Sequence, residues 1–143
     1  MEFNVRQATI NDAQSLDNLQ TSYFDKNTRE NFNFVLTDNN YVFFVAEIES
    51  KIIGYVGSSI SYESSDLLTI CVDKSYRSRG VAQTLILALI DFLKARGVHY
   101  ILLEVNENNV GAIKLYEKMG FINIHQRKNY YGNETAFIMK KEL

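Results

Sequence analysis

The sequence predicts an α+β (mixed α/β) protein with a central, mostly antiparallel sheet of about seven strands flanked by helices. Three observations favour this class. Segments rich in aromatic and β-branched residues dominate the front half, one strand–helix–strand crossover lies in the middle, and two short strand candidates end the chain. Together they indicate an antiparallel front half that continues into a mixed sheet.

The front half predicts one strand, a helical region and a hairpin. A strand is expected over residues 4–8, followed by a helix start with Thr9 as N-cap and Asp12 in the first turn. The polar and aromatic stretch from about residue 14 to 36 predicts a helical region that breaks near residues 25–28. Strands follow over residues 41–48 and 51–60, joined by the short turn at 49–50, and a polar loop over 61–66 leads into a strand over 67–72.

The back half predicts two helices set between strands. Leu85, Leu89 and Leu93 recur at helical spacing within residues 83–96, and Gly97 supplies a stop signal. The almost wholly apolar stretch 100–105 predicts a central strand buried on both faces. A polar connection over 106–109 leads to a short helix over 110–119, and residues 121–125 and 134–139 form a final antiparallel pair across a loop at 129–133.

Length and composition limit the function classes. A chain of 143 residues suits one domain, 1–143, and 46% apolar residues indicate a globular protein. The net charge of −2 argues against a nucleic-acid binder, and no apolar run approaches the ~20 residues of a membrane span. The single cysteine and the two histidines show no metal-ligand spacing. We expect a cytoplasmic protein without metal, a monomer or weak dimer.

The turn between the strand over 67–72 and the helix over 83–96 has the clearest chemistry. A strand, a tight turn with a central glycine and a helix N-terminus form an anion pocket, because unpaired backbone N–H groups point at the ligand and the helix dipole favours negative charge. Two arginines add hydrogen bonds suited to phosphate oxygens. The spacing matches neither the phosphate loop of NTPases nor the dinucleotide fingerprint, and the alternative is an ordinary turn with solvated arginines. The predicted phosphate cradle comprises Arg77, Ser78, Arg79, Gly80, Val81 and Ala82.

The cradle resembles the pyrophosphate-binding motif of the GNAT family of N-acetyltransferases, which bind acetyl-CoA. Downstream, Asn109 precedes the run Ala-Ile-Lys-Leu-Tyr-Glu-Lys-Met-Gly-Phe at residues 112–121, which is similar to another motif of the family. The run Arg-Lys-Asn-Tyr-Tyr at residues 127–131 resembles the RimI-type members, which acetylate the N-terminal alanine of ribosomal proteins. The resemblance covers essentially the whole chain and implies a GNAT-like fold with acetyl-CoA as cosubstrate.

The resemblance also implies catalytic roles for two residues. Glu104, a charged residue in an apolar strand, matches the general base that removes a proton from the acceptor amine. Tyr116 matches the acid that protonates the departing thiolate, and Asn109, two helical turns earlier, matches a cofactor contact. From the residues alone, each role has an alternative. Glu104 is then a strand-end residue that reaches solvent, and Tyr116 is a half-buried helix residue.

The strand before the cradle is implied to hold the pantetheine arm through the backbone groups of Ile70, Cys71 and Val72, much as a peptide adds to a strand edge. Cys71 has a second reading as a nucleophile that forms an acetyl-enzyme. Its apolar strand and the lack of an evident histidine partner favour a buried structural cysteine. We therefore expect direct transfer in a ternary complex, with proximity supplying much of the acceleration.

The sequence constrains the acceptor amine less than any other part of the reaction. Tyr130 and Tyr131 line the acceptor groove in one interpretation and brace a hairpin in the other. The leading hypothesis is acetylation of a protein N-terminal α-amine, and a ribosomal protein is the acceptor that the resemblance implies. The alternatives are acetylation of a small amine or a lysine side chain and, from another class, a non-catalytic acyl-CoA-binding module.

Overall fold

The computed structural model describes residues 2–143, except for the side chains of residues 129–131. Seven strands form one sheet in the order β1-β2-β3-β4-β5-β7-β6, antiparallel except between β4 and β5. The strands are β1 (Asn4–Gln7), β2 (Tyr41–Ile48), β3 (Lys51–Ser61), β4 (Ser64–Val72), β5 (Tyr100–Asn106), β6 (Ile122–Tyr131) and β7 (Glu134–Glu142). The helices are α1 (Ala13–Tyr23), α2 (Phe32–Val35), α3 (Val81–Ala95) and α4 (Val110–Lys118), with short 3₁₀ turns at Ile10–Asp12, Lys26–Thr28 and Lys74–Tyr76.

Helices cover both faces of the front half of the sheet. The apolar stripe of α3 buries Leu85 and Leu93 completely on one face. On the other face, α1 and α2 cover an aromatic cluster in which the ring of Phe32 lies 5.5 Å from that of Phe43 and 5.4 Å from that of Tyr55. Side chains alternate between the two faces along β2 and β3, and helices cover both faces. Both strands are therefore rich in apolar residues.

The sheet opens between its two parallel strands. Register pairing of β4 with β5 is confined to residues 64–66 against 100–102, although the strands continue to Val72 and Asn106. Beyond this short ladder the strands diverge, and the edge of β4 that faces β5 is left open. This divergence produces the gap in which the candidate site lies.

The predicted loop over residues 61–66 is wrong. The strands β3 and β4 form a tight hairpin whose turn contains Tyr62 at φ 54°. Ser65, a polar residue of the predicted loop, is satisfied inside the sheet: it is buried in hydrogen-bond contact with Ser58 of β3, and it also donates to the carbonyl of Ser59 at 2.7 Å. Their polar groups find partners within the hairpin, so burial costs little.

Two further boundaries differ from the predictions. The helical region predicted over 14–36 consists of α1, an irregular segment and the single turn α2, whose N-cap Asn31 accepts a hydrogen bond from the N–H of Phe34 at 3.3 Å. The strand β6 continues to Tyr131, so the loop predicted over 129–133 shrinks to a two-residue turn in which Gly132 takes φ 74°.

Across residues 2–143, no helix is both long enough and apolar enough to span a membrane. Among the side chains that the structure describes, no group of three or more His, Cys, Asp or Glu could hold a metal ion.

Candidate functional site

A cavity of about 680 Å³ lies beside the end of β4, beyond its short pairing with β5. Its walls are the last residues of β4, the turn before α3, the start of α4 and the end of α1. The residues predicted to bind the cofactor line it together, with the exception of Arg79. They are Ile70, Cys71, Val72, Arg77, Ser78, Gly80, Val81, Ala82 and Asn109.

The N-terminus of α3 opens onto this cavity. Gly80 is the N-cap residue and takes the left-handed conformation at φ 82°, which glycine adopts without strain. Because Gly80 has no side chain, the first N–H groups of α3 receive no capping oxygen from it and remain available to a ligand. A Cβ atom at this position would meet no heavy atom within 4 Å, so the approach to these groups is clear. The geometry suits an anion such as pyrophosphate.

Arg77 does not simply extend toward a ligand. Its Nε donates a hydrogen bond to the carbonyl of Val72 at 2.9 Å, and its guanidinium carbon lies 4.8 Å from the centroid of the Tyr23 ring. Part of this side chain therefore ties the turn to β4 and to the end of α1. The sequence motif gave no signal for either contact.

The open edge of β4 presents alternate residues to the cavity. The N–H of Asp73 donates to the carbonyl of Ile53 on β3 at 2.8 Å. Because the backbone groups of a strand alternate between its two edges, Cys71 also faces β3, whereas Ile70 and Val72 face the opening. The structure thus separates the three residues that the sequence grouped together.

Cys71 is buried beside Tyr55, with its side chain in the cluster under α1 and α2. Burial raises the pKa of its thiol to about 11, with a smaller opposing effect from the charge of Arg77. The thiol is therefore protonated near neutral pH, which does not suit a nucleophile.

The helix α4 brings one predicted residue to the cavity and buries the other. Asn109 is its N-cap, and the side-chain oxygen accepts a hydrogen bond from the N–H of Ala112 at 3.2 Å. Ala112 and Leu115 line the cavity, whereas Tyr116 is 7% exposed and packs with its ring centroid 5.8 Å from that of Phe121. Burial raises the pKa of Tyr116 to about 12, so this phenol keeps its proton at neutral pH.

Glu104 lies between the buried Leu103 and Val105 on β5, and strand alternation directs its side chain to the opposite face of the sheet. One carboxylate oxygen, Oε1, is 2.9 Å from a guanidinium nitrogen of Arg127 on β6. The strand β7 lies between the two residues, with Ile138 paired to Glu104 and Ala136 paired to Arg127. The carboxylate of Glu104 is therefore held in an ion pair with Arg127 and does not extend freely into solvent.

The sequence reasoning missed three contributors to the site: Tyr23, Phe24 and Arg127. The aromatic pair ends α1 and lines the cavity, although it lies far from the cradle in the sequence. Arg127 was noted as part of a motif, without any indication that it contacts Glu104. The side chains of Tyr130 and Tyr131 lie outside the described residues, so their predicted place in an acceptor groove stays a prediction.

The sheet splits between two parallel strands, and at one end of the gap lies a helix N-terminus whose N-cap residue is a glycine without a capping side chain. This combination defines a class of enzymes that bind a phosphate-bearing acyl donor. The sequence matches the model of the acetyltransferase (GNAT) family over residues 9–121, and the chain belongs to this family. The match confirms the family and the enzyme class predicted from the sequence.

Two curated relatives and one solved structure illustrate the similarity. The ribosomal protein bS18-alanine N-acetyltransferase of Escherichia coli (strain K12) is 36% identical over 121 residues, covering 81% of this chain and 75% of that protein. An N-alpha-acetyltransferase of Saccharolobus solfataricus is 29% identical and covers 99% of this chain and 94% of its own. The crystal structure of the Escherichia coli ribosomal-protein-S18-alanine N-acetyltransferase superimposes with a TM-score of 0.86 at 26% identity, over 99% of this chain and 94% of that one, which confirms the predicted fold.

Proposed function

We propose that this chain, as one domain over residues 1–143, transfers the acetyl group of acetyl-CoA to the N-terminal α-amine of a protein. One observation carries the proposal: the gap between β4 and β5 brings an open strand edge, an uncapped helix N-terminus and a cavity of about 680 Å³ into one continuous site. An elongated ligand with an anionic end and an amide-bearing arm matches these features in order.

Acetyl-CoA fits the residues present. The cavity volume lies within the range of small-molecule sites. The backbone groups of Ile70 and the N–H of Val72 offer strand-edge hydrogen bonds to the pantetheine amides, and the N–H groups after Gly80 receive the pyrophosphate. Asn109 and Ala112 close the opposite wall beside the thioester end.

The proposed reaction is a direct attack on the thioester. An α-amine has a pKa near 8, so an ammonium acceptor first loses a proton to Glu104, directly or through water. The neutral nitrogen then forms a bond to the carbonyl carbon and releases a second proton as the C–S bond breaks. The electron pair of that bond leaves with sulfur, and the thiolate takes up one proton.

Glu104 is held for this task by Arg127, a guanidinium nitrogen of which lies 2.9 Å from its Oε1. The guanidinium keeps the carboxylate in one orientation, which reduces the conformational cost of engaging the amine. Tyr116 is the proposed hydrogen-bond partner of the departing thiolate. A phenol with a pKa of about 12 is a weaker acid than a thiol, whose pKa is about 8.5, so Tyr116 stabilises the developing thiolate chiefly as a hydrogen-bond donor.

The protein N-terminus is the proposed acceptor because two relatives with similar sequences are named for that activity. The bacterial relative acts on the alanine terminus of ribosomal protein bS18, and the archaeal one is an N-alpha-acetyltransferase. A small amine and a lysine side chain remain alternative acceptors. Lysine, with a pKa near 10.4, holds its proton more tightly and requires more of the base.

The experiment that tests the function follows thiol release from acetyl-CoA with a panel of acceptors. The panel contains peptides with different N-terminal residues, peptides with an acetylated N-terminus and a free lysine, and polyamines. Turnover on peptides with a free N-terminus alone supports the proposal. Turnover on polyamines or lysine alone contradicts the acceptor, and tight CoA binding without any turnover points to a binding module.

Glu104→Gln tests the base. We expect a loss of about 100-fold in kcat, within the range for general base catalysis, and an unchanged Kd for CoA. Glu117→Gln is the matched control, because Glu117 is exposed on α4 and the substitution removes the same charge. Equal activity in the two variants would eliminate Glu104 as the base.

A further inference from the structure

Tyr23, the last residue of α1, contacts the cradle region through both ends of its side chain. Its hydroxyl accepts a hydrogen bond from the N–H of Lys74 at 2.9 Å and lies 3.4 Å from Oδ1 of Asp73. Its ring lies under the guanidinium of Arg77, 4.8 Å from the guanidinium carbon to the ring centroid. One aromatic side chain therefore braces three residues of the segment that leads into α3.

These contacts belong to a connected set. Oδ1 of Asp73 also accepts a hydrogen bond from the N–H of Ser75 at 3.0 Å and so caps the 3₁₀ turn. Arg77, stacked on Tyr23, donates to the carbonyl of Val72 at 2.9 Å. Tyr23 thus connects α1 to the end of β4 and to the first residue of the cradle. Because half-buried Tyr23 and exposed Arg77 both line the cavity, the connection forms part of its wall.

The cradle needs such a brace because its own backbone is held in an uncommon conformation. Ser78 has φ 62° and Gly80 has φ 82°, and a serine in the left-handed region is disfavoured unless its surroundings hold it there. Both residues are exposed. The residues that precede them are held by contacts with other elements, and Tyr23 contacts two of them, Lys74 and Arg77.

We propose that Tyr23 is a positioning residue for the pyrophosphate end of the donor site. Tyr23 acts through Arg77 and the 3₁₀ turn and holds the cradle in one conformation before the donor binds. Donor binding then does not include the entropic cost of ordering the turn. The inference rests on the proposed function in one respect, that the donor carries a pyrophosphate. It assigns Arg77 a bracing role in addition to any contact with phosphate.

Binding of two ligands to the full chain tests the proposal by calorimetry. CoA carries the pyrophosphate and nucleotide, whereas S-acetylpantetheine retains only the arm and the thioester. For Tyr23→Leu we expect the Kd for CoA to rise about tenfold, from the combined loss of a stacked cation and a hydrogen bond, and the Kd for S-acetylpantetheine to rise less than twofold. Tyr23→Phe, which keeps the ring, should lie between wild type and Tyr23→Leu.

Controls separate positioning from a general loss of structure. Tyr62→Leu removes a tyrosine that is 95% exposed in the β3–β4 turn and should leave both affinities unchanged. If Tyr23→Leu is too unstable to measure, Tyr23→Phe, which removes the hydroxyl contacts with Lys74 and Asp73, carries the same test. An equal rise for both ligands, or no change for either, overturns the proposal.

The same titrations keep the two proposals distinguishable. Wild-type protein that binds CoA but transfers no acetyl group contradicts the proposed function, while the ligand comparison still decides the role of Tyr23. Wild-type protein that does not bind CoA overturns both.

Discussion

Gly80→Ala tests whether the N-terminus of α3 receives the phosphates. The added methyl group meets no atom within 4 Å, so the free protein suffers no steric clash. The cost to stability comes from the backbone, because alanine at φ 82° is disfavoured by about 1 kcal/mol. For a chain of 143 residues this corresponds to a fall in Tm of about 3 °C.

The effect on donor binding should be larger than the effect on stability. A methyl group at the mouth of the cradle holds the pyrophosphate away from the backbone N–H groups that follow. Loss of one charge-assisted hydrogen bond weakens binding by about 2 kcal/mol, which corresponds to a rise of about 30-fold in the KM for acetyl-CoA. With S-acetylpantetheine, which has no pyrophosphate, the KM should stay within about twofold of wild type.

Gly97→Ala provides a matched control. Gly97 has the same φ of 82°, its Cβ position is equally open, and it follows the C-terminal end of the same helix, away from the cavity. We expect the same loss of about 1 kcal/mol in unfolding free energy and no change in either KM. Thermal denaturation measures the stability of both variants, and thiol release measures the two KM values. Equal KM values for acetyl-CoA in Gly80→Ala and Gly97→Ala would refute the phosphate cradle.

Three other predictions concern the base, the core and a buried carboxylate. Arg127→Gln frees Glu104 and should lower kcat about tenfold with an unchanged KM for acetyl-CoA, and Arg127→Lys should recover part of the loss; an unchanged kcat in Arg127→Gln removes the positioning role. Cys71, with its thiol pKa raised to about 11, should resist iodoacetamide at pH 7.5 in the folded protein and react after unfolding in urea, as judged by mass spectrometry; rapid labelling of folded protein contradicts its burial. The pKa of Asp12 is lowered by a bidentate guanidinium partner, so its stabilisation is present above pH ~4 and is lost as pH falls through the lower folded pKa. Asp12→Asn should therefore cost about 2 kcal/mol in urea unfolding at pH 7 and much less at pH 3, and an equal cost at both values would show that the charge is not responsible.

The sequence predicted most closely the elements whose signals are local. The helix α3 has a strict apolar period between two glycines in the left-handed conformation, and it begins and ends within two residues of the prediction. The strands β2 and β5 are mostly apolar and were placed within one residue. By contrast, the start of β4 was predicted as part of a loop over 61–66 because the stretch is polar, and only the partner strand reveals that the hydroxyl group of Ser65 is satisfied.

The sequence by itself predicted the residues proposed for the donor end of the site. The strand edge at Ile70 and Val72, the turn and Gly80 follow one another along the chain, so a short motif contains both the residues and their arrangement. Local backbone geometry carries this prediction, because a glycine before a helix leaves the first N–H groups of the helix without a side-chain cap.

Only the tertiary structure decided what surrounds that segment. Arg127 meets Glu104 across β7 because the strand order places β6 two strands from β5 and the register sets the two side chains close enough for an ion pair. Tyr23 reaches the cradle because α1 packs across the sheet and ends there, 51 positions before Lys74. Such contacts depend on strand order and helix packing, which no local pattern encodes, since residues distant in the sequence meet only when the whole sheet has formed.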